Sequence, residues 1–124
     1  MNVDHKILDA FEKTYRLFLY KADQPVYGKD DWRSHAQSVR EGRFFEDDCD
    51  GFAITCADLL LEQGYKPELW ICSVPLGQGR HMVCQVDGLI LDNRYPGIRT
   101  IKEAERGSLY RWARRIDFRK YRED

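Results

Sequence analysis

The stretch "HMVCQVDGLILD", residues 81–92, decides the fold. Two short apolar runs flank Asp87-Gly88, and Asp-Gly between such runs is the strongest local signal of a tight β-hairpin. A two-residue turn sets Val86 opposite Leu89. Counting back along the ladder, Val83 faces Asp92 and His81 faces Arg94. Side chains alternate across a strand, so His81, Val83, Gln85, Ile90, Asp92 and Arg94 share one face. His81 and Asp92 become diagonal neighbours there, within reach of a histidine–carboxylate hydrogen bond.

Upstream, "PELWICSVPL" (67–76) is apolar on both faces and reads as a central strand, and "GQG" (77–79) as a flexible turn. Before it lies "FFEDDCDGFAITCADLLLEQG" (44–64), where the period changes to that of a helix. Asp47 or Asp48 can cap this helix, Phe52, Ala53, Cys56, Leu59 and Leu60 form its apolar stripe, and Gly64 closes it. Val3, Ile7, Leu8, Phe11, Tyr15 and Phe18 recur at helical spacing and predict an amphipathic helix over 3–20. "KADQPVYGKDD" (21–31) reads as a loop, and "WRSHAQSVREG" (32–42) as a short helix ending at Gly42. Past the hairpin, "NRYPGIRT" (93–100) is a loop, "IKEAERG" (101–107) a helical turn and "SLYRWARRIDF" (108–118) a last strand. Helices come first and a mostly antiparallel sheet follows. The order predicts an α+β fold, in a single domain over 1–124.

Bulk composition narrows the function classes. The chain has 124 residues, 43% of them hydrophobic and 33% charged, which suits a folded core rather than disorder. A net charge of −1 gives no global field for nucleic acid or an anionic membrane. Charge is nonetheless segregated: residues 41–62 hold seven acids against Arg43 alone, and residues 99–122 hold nine Lys/Arg against three acids. The basic segment reads first as a solvated face. The opening residues lack the pattern of a signal peptide and no run reaches transmembrane length, so a cytoplasmic chain with reduced thiols is the expectation. Its four cysteines form no CxxC pair, which argues against structural zinc or a disulfide framework.

Cys49 stands apart from the other three. It sits in the first turn of the predicted helix, where unpaired N–H groups and the macrodipole favour a thiolate. Three aspartates, at 47, 48 and 50, oppose that ionisation. A nucleophilic cysteine needs a base, and the base needs an orienting group. His81 and Asp92 can supply both roles. Cys56, Cys72 and Cys84 lie among apolar neighbours and read as core, while His5 and His35 read as surface. The Cys49 N–H is a natural oxyanion donor, with Gln37 as a side-chain candidate; Trp32 reads as packing, and Arg94 as a cation that would either repel a protonated His81 or bind a substrate carboxylate.

"DDCDGFA", then "HMV", then "LDN" together resemble the bacterial transglutaminase-like cysteine peptidases, the LapG-like family, over about Trp32 to Pro96. The resemblance implies a papain-like, transglutaminase-like domain, with Cys49 as nucleophile, His81 as base and Asp92 as orienting acid. It implies hydrolysis of a protein or peptide amide through a thioester, with no cofactor needed for the chemistry itself. It also implies calcium bound through Asp48 and Asp50, although Gly51 stands where the family usually has another acid. Those acids read equally well as ordinary helix-start carboxylates. Acyl transfer to an amine would use the same three residues. A non-catalytic protein-binding module that kept the fold is the competing class, and nucleic-acid binding through Arg111, Arg114, Arg115, Arg119 and Lys120 is disfavoured.

Overall fold

The structure, a computed structural model, describes residues 3–21, 32–75 and 79–117. The loop expected over 21–31 and the turn over 77–79 fall almost wholly outside these residues, as do Arg119 and Lys120.

Helix α1 (His5–Leu17) starts where the Asp4 carboxylate accepts the Lys6 N–H, and it buries Ile7, Ala10, Phe11, Thr14 and Leu17. It ends three residues earlier than its periodicity predicts. Phe18–Tyr20 instead form strand β1, which pairs in parallel with β2 (Phe45–Asp47), Phe18 facing Phe45. An aromatic-rich run beside a partner strand gains more from a ladder than from one further helical turn. Between these strands lies a short helix, α2 (Ala36–Arg40), closed near Gly42 at φ +70°.

Helix α3 (Cys49–Glu62) begins where Asp48 caps it by accepting the Asp50 N–H. The predicted apolar stripe is narrower than the face that is buried. Ile54, Thr55, Ala57 and Asp58 are also inside, because α1 and α2 cover α3 on one side and the sheet covers the other. Asp58 tolerates full burial by accepting the Ser34 hydroxyl at 2.7 Å.

The main sheet has five strands in the order β6-β5-β4-β3-β7, all neighbours antiparallel. Its members are β3 (Glu68–Ser73), β4 (Arg80–Val86), β5 (Leu89–Leu91), β6 (Arg99–Thr100) and β7 (Arg111–Ile116). The hairpin has the predicted register: Val86 faces Leu89, Gln85 faces Ile90 and Cys84 faces Leu91. Asp87 and Gly88, at φ +50° and +76°, make the turn between them. Alternation then sorts the sheet into two cores. Leu69, Ile71, Met82, Cys84 and Leu91 pack with Phe52 and Cys56 of α3. Cys72, Val83 and Ile90 pack with Tyr110 and with Ala104 of α4 (Ile101–Gly107) on the other face. Helix α4 carries a full capping box between Thr100 and Glu103.

After α4 the chain turns sharply at Leu109, whose φ is +57°, while the Ser108 and Tyr110 N–H groups both donate to the Ala104 carbonyl. A leucine in the left-handed region is strained by about 1 kcal/mol. Leu109 is exposed, so packing does not mask the backbone effect. Leu109→Val is therefore expected to cost about 1 kcal/mol more, since a β-branched residue suits this region least, whereas Leu109→Gly stays near neutral or gains. Urea denaturation of the two variants checks this; a harmless valine would show that no strain resides here.

No described helix is long and apolar enough to cross a membrane.

Candidate active site

Cys49 is the first residue of α3, partly buried, with its Sγ–H directed at Asp50 Oδ1 at 3.5 Å. Burial pushes its pKa well above that of a free thiol, and the charges of Asp50 and Asp48 push the same way. The backbone N–H of Met82, next to His81 in β4, opposes them by donating to the sulfur. At rest the group is a thiol, so it needs a base to become a nucleophile.

Cys49 and His81 line one cleft of about 590 Å³, together with Tyr15, Tyr20 and Arg94. A slightly larger groove, about 640 Å³ between α1, α2 and α3, has no cysteine and no His81 among its described lining residues. His81 and Asp92 meet as the hairpin register requires. Nε2 of His81 lies 2.6 Å from Asp92 Oδ1, and both residues are buried. An ionised carboxylate can only accept, so the Nε2 proton is the one shared and Nδ1 is left as the basic nitrogen of the ring.

Asp92 is held on both oxygens. The Arg94 N–H donates to Oδ1 at 3.0 Å, and the Tyr110 hydroxyl donates to Oδ2 at 2.5 Å. Burial alone would raise the pKa of Asp92. The hydrogen bond and charge of His81, followed by the Tyr110 and Arg94 donors, outweigh it and hold the carboxyl below its usual range. Its share of stability is therefore present above the ordinary carboxylate range and disappears only as pH falls through the lowered value. Burial and the Asp92 acceptor push the Tyr110 hydroxyl well up, so it stays a donor.

Arg99 lies behind this pair, nearly fully buried. Its Nη2 is 3.6 Å from Asp92 Oδ2, its Nη1 donates to Ser108 Oγ at 2.6 Å, and its guanidinium carbon stands 4.1 Å over the Tyr95 ring. Neither Arg99 nor Tyr110 is assigned to the site by motif or spacing. The one signal was a tyrosine opening the last strand and an arginine preceding α4, both lost in a generally basic segment.

The acids beside the thiol differ in their duties. Asp47 Oδ1 accepts the Asp48 N–H at 2.7 Å, and its Oδ2 lies 2.7 Å from His35 Nε2. His35 is thus not a surface residue: it stacks on Phe45 with ring centroids 4.8 Å apart and is mostly shielded, because β2 brings both partners to it. Asp48 and Asp50, with Cys49, place ligand atoms within 4.8 Å of one another. Carboxylate oxygens at that spacing suit a hard cation such as calcium, and the thiol does not. Gly51 adds no ligand. The place its side chain would take is filled, since a Cβ there would lie 2.0 Å from Asp47 Oδ2. Two acids fit a weakly held ion completed by carbonyl and water oxygens.

Other expectations resolve simply. Cys56, Cys72 and Cys84 are buried, and His5 is exposed. Trp32 packs against the main core. Gln37 is not in the cleft: it sits on the exposed side of α2, bonded to Glu41 and Arg40. Arg115 is exposed and pairs with Glu68, and Trp112 donates to Glu105.

No family model and no curated sequence matches the chain. Solved structures do. The calcium-bound LapG of Legionella pneumophila is similar with a TM-score of 0.63 and 23% identity, over 88% of this chain and 64% of that one. Its EGTA-treated form is similar with a TM-score of 0.68 and 21% identity, over 91% of this chain and 62% of that one. This chain therefore spans less than two thirds of those structures. What they share is the fold: helices laid on a mostly antiparallel sheet, the transglutaminase-like form of the papain architecture.

Proposed function

We propose that this chain is a cysteine-nucleophile amide hydrolase, a peptidase acting on a protein or peptide substrate. The observation that carries the reading is the buried His81–Asp92 hydrogen bond of 2.6 Å, with His81 lining the cleft that Cys49 also lines. In this reading Cys49 Sγ attacks the scissile carbonyl carbon while its proton passes to His81 Nδ1. The carbonyl electron pair moves to oxygen and is met by the Cys49 N–H at the start of α3, where the helix dipole adds to the hydrogen bond. Collapse of that oxyanion breaks the C–N bond, and the amine leaves with the proton from His81. The resulting thioester is attacked by water, which His81 deprotonates, and C–S cleavage restores the thiol. Asp92 keeps its charge throughout and stabilises the imidazolium. An amine in place of water would give acyl transfer by the same steps.

The fold match to LapG, in calcium-bound and EGTA-treated forms, supports the peptidase class and a role for calcium. Asp48 and Asp50 are the residues that would hold the ion. When bound it would offset their charge and favour the thiolate of Cys49.

Alkylation by iodoacetamide near neutral pH tests the proposal, with mass mapping of each cysteine. Cys49 is expected to react well before the buried Cys56, Cys72 and Cys84, and faster in calcium than in EGTA. If Cys49 reacts no faster than free cysteine in either condition and His81→Ala changes nothing, the chain is a binding module and not a hydrolase. Equal rates in calcium and EGTA would remove the metal from the reading and leave the hydrolase.

A further inference from the structure

Asp92 is a carboxylate in a nearly closed interior, and such a group keeps one orientation only if several donors hold it. His81 and the Arg94 N–H take one oxygen. The other oxygen meets Tyr110 and Arg99, which come from sequence positions 18 and 7 residues further on. Tyr110 does two things at once. It donates to Asp92, and its ring lies 5.6 Å from the His81 ring, tilted at 54°. Arg99 is the less economical residue. It is buried, yet Nε and Nη2 find no hydrogen-bond acceptor among the described residues. Its charge is met by Asp92 and by the faces of Tyr95 and Tyr110, at 4.1 and 5.6 Å. A buried cation with incomplete hydrogen bonding is costly, and an apolar side chain would serve a purely structural purpose better. The strained turn at Leu109 immediately precedes Tyr110 and delivers it to this place.

We infer that Tyr110 and Arg99 are positioning residues for the reaction: together they fix the Asp92 carboxylate so that one oxygen stays on His81 Nε2 and the ring keeps Nδ1 for the thiol. The inference rests on the reading of Cys49, His81 and Asp92 as the reacting group. Neither residue contacts substrate; both act through Asp92. Freed from its two partners, the carboxylate can rotate about its own bond, and His81 follows it. Misplacing a general base in this way lowers the rate by about ten- to a hundredfold.

The test uses the whole chain with imidazole nitrogens labelled with 15N, in wild type, Tyr110→Phe, Arg99→Lys and Arg99→Met. Two quantities are read: the downfield resonance of the His81 Nε2 proton with its exchange rate, and the rate of Cys49 alkylation by iodoacetamide. Tyr110→Phe removes one oxygen atom and is expected to fold. Its Nε2 proton should shift and exchange faster with water, and alkylation should slow by about tenfold. Arg99→Lys, which keeps the charge, should retain more of the alkylation rate than Arg99→Met. An unchanged Nε2 resonance and exchange rate in folded Tyr110→Phe would overturn the inference. The resonance does not depend on the reactivity of Cys49. A sluggish wild-type thiol would therefore count against the hydrolase reading, while the NMR comparison still decides whether Tyr110 holds the pair.

Discussion

His81→Ala is expected to lower peptide hydrolysis by about 10²- to 10⁴-fold, and to cost about 1–3 kcal/mol of stability because buried Asp92 loses its main partner. The size of the effect follows from the state of Cys49. Burial and two neighbouring aspartates keep its sulfur protonated well beyond the pH at which a free thiol ionises. Without a partner to take the proton, nucleophilic thiolate builds up only in strongly alkaline solution. The pH profile therefore discriminates better than the rate at one pH. Wild type should react well below the pH at which the unassisted thiol ionises, whereas His81→Ala should retain only the alkaline limb and should recover as pH rises. Alkylation of Cys49 from pH 5 to 10, with release of new N-termini from a denatured protein pool as the activity assay, separates the two curves. Coinciding curves would mean that His81 does not serve the thiol. Asp92→Asn should fall between them. The amide can still occupy the site, but it can neither carry the negative charge that stabilises the imidazolium nor accept equally on both positions.

The parts of this site that can be read from the sequence are those fixed by local chemistry. Asp87-Gly88 admits a tight turn with positive φ, and that turn determines which residues face each other for several positions on either side. The meeting of His81 and Asp92 is thus a local consequence of two residues at a bend. The start of α3 is equally local, since Asp48 caps its own helix. What cannot be read comes from pairings with no sequence spacing attached. Strand β1 exists because Phe45–Asp47 lie beside it, 27 residues along at Phe18↔Phe45, and periodicity within 3–20 carries no trace of that partner. His35 looks like a polar-segment histidine until β2 delivers Asp47 and Phe45 to it. Arg99 reads as one more surface cation because nothing local announces that β6 pairs with β5, Arg99 opposite Ile90, and so comes beside Asp92.

The same distinction governs the acids that flank Cys49, and it leads to a large expected effect on stability. Gly51 lies inside α3, where replacing glycine with alanine normally gains up to about 1 kcal/mol. Here Gly51→Ala is expected to lose about 3 kcal/mol instead, read from the midpoint of urea unfolding. The new Cβ would stand 2.0 Å from Asp47 Oδ2, 2.1 Å from its carboxyl carbon and 2.6 Å from its Cβ. Turning the carboxylate away does not relieve the last of these, so the backbone of β2 or of α3 must move. Either shift breaks the Asp47 bonds to His35 and to the Asp48 N–H, at the point where the helix that carries Cys49 begins. Shortening the obstacle tests the cause: in an Asp47→Gly background, Gly51→Ala should recover most of its ordinary helix-forming gain. A strongly favourable coupling between the two changes is the expected result, and simple additivity would show that Asp47 does not fill that space. The same crowding bears on the proposed calcium site. Gly51→Asp, made to supply a third carboxylate beside Asp48 and Asp50, meets the same obstacle and should tighten calcium binding only once Asp47 has been shortened.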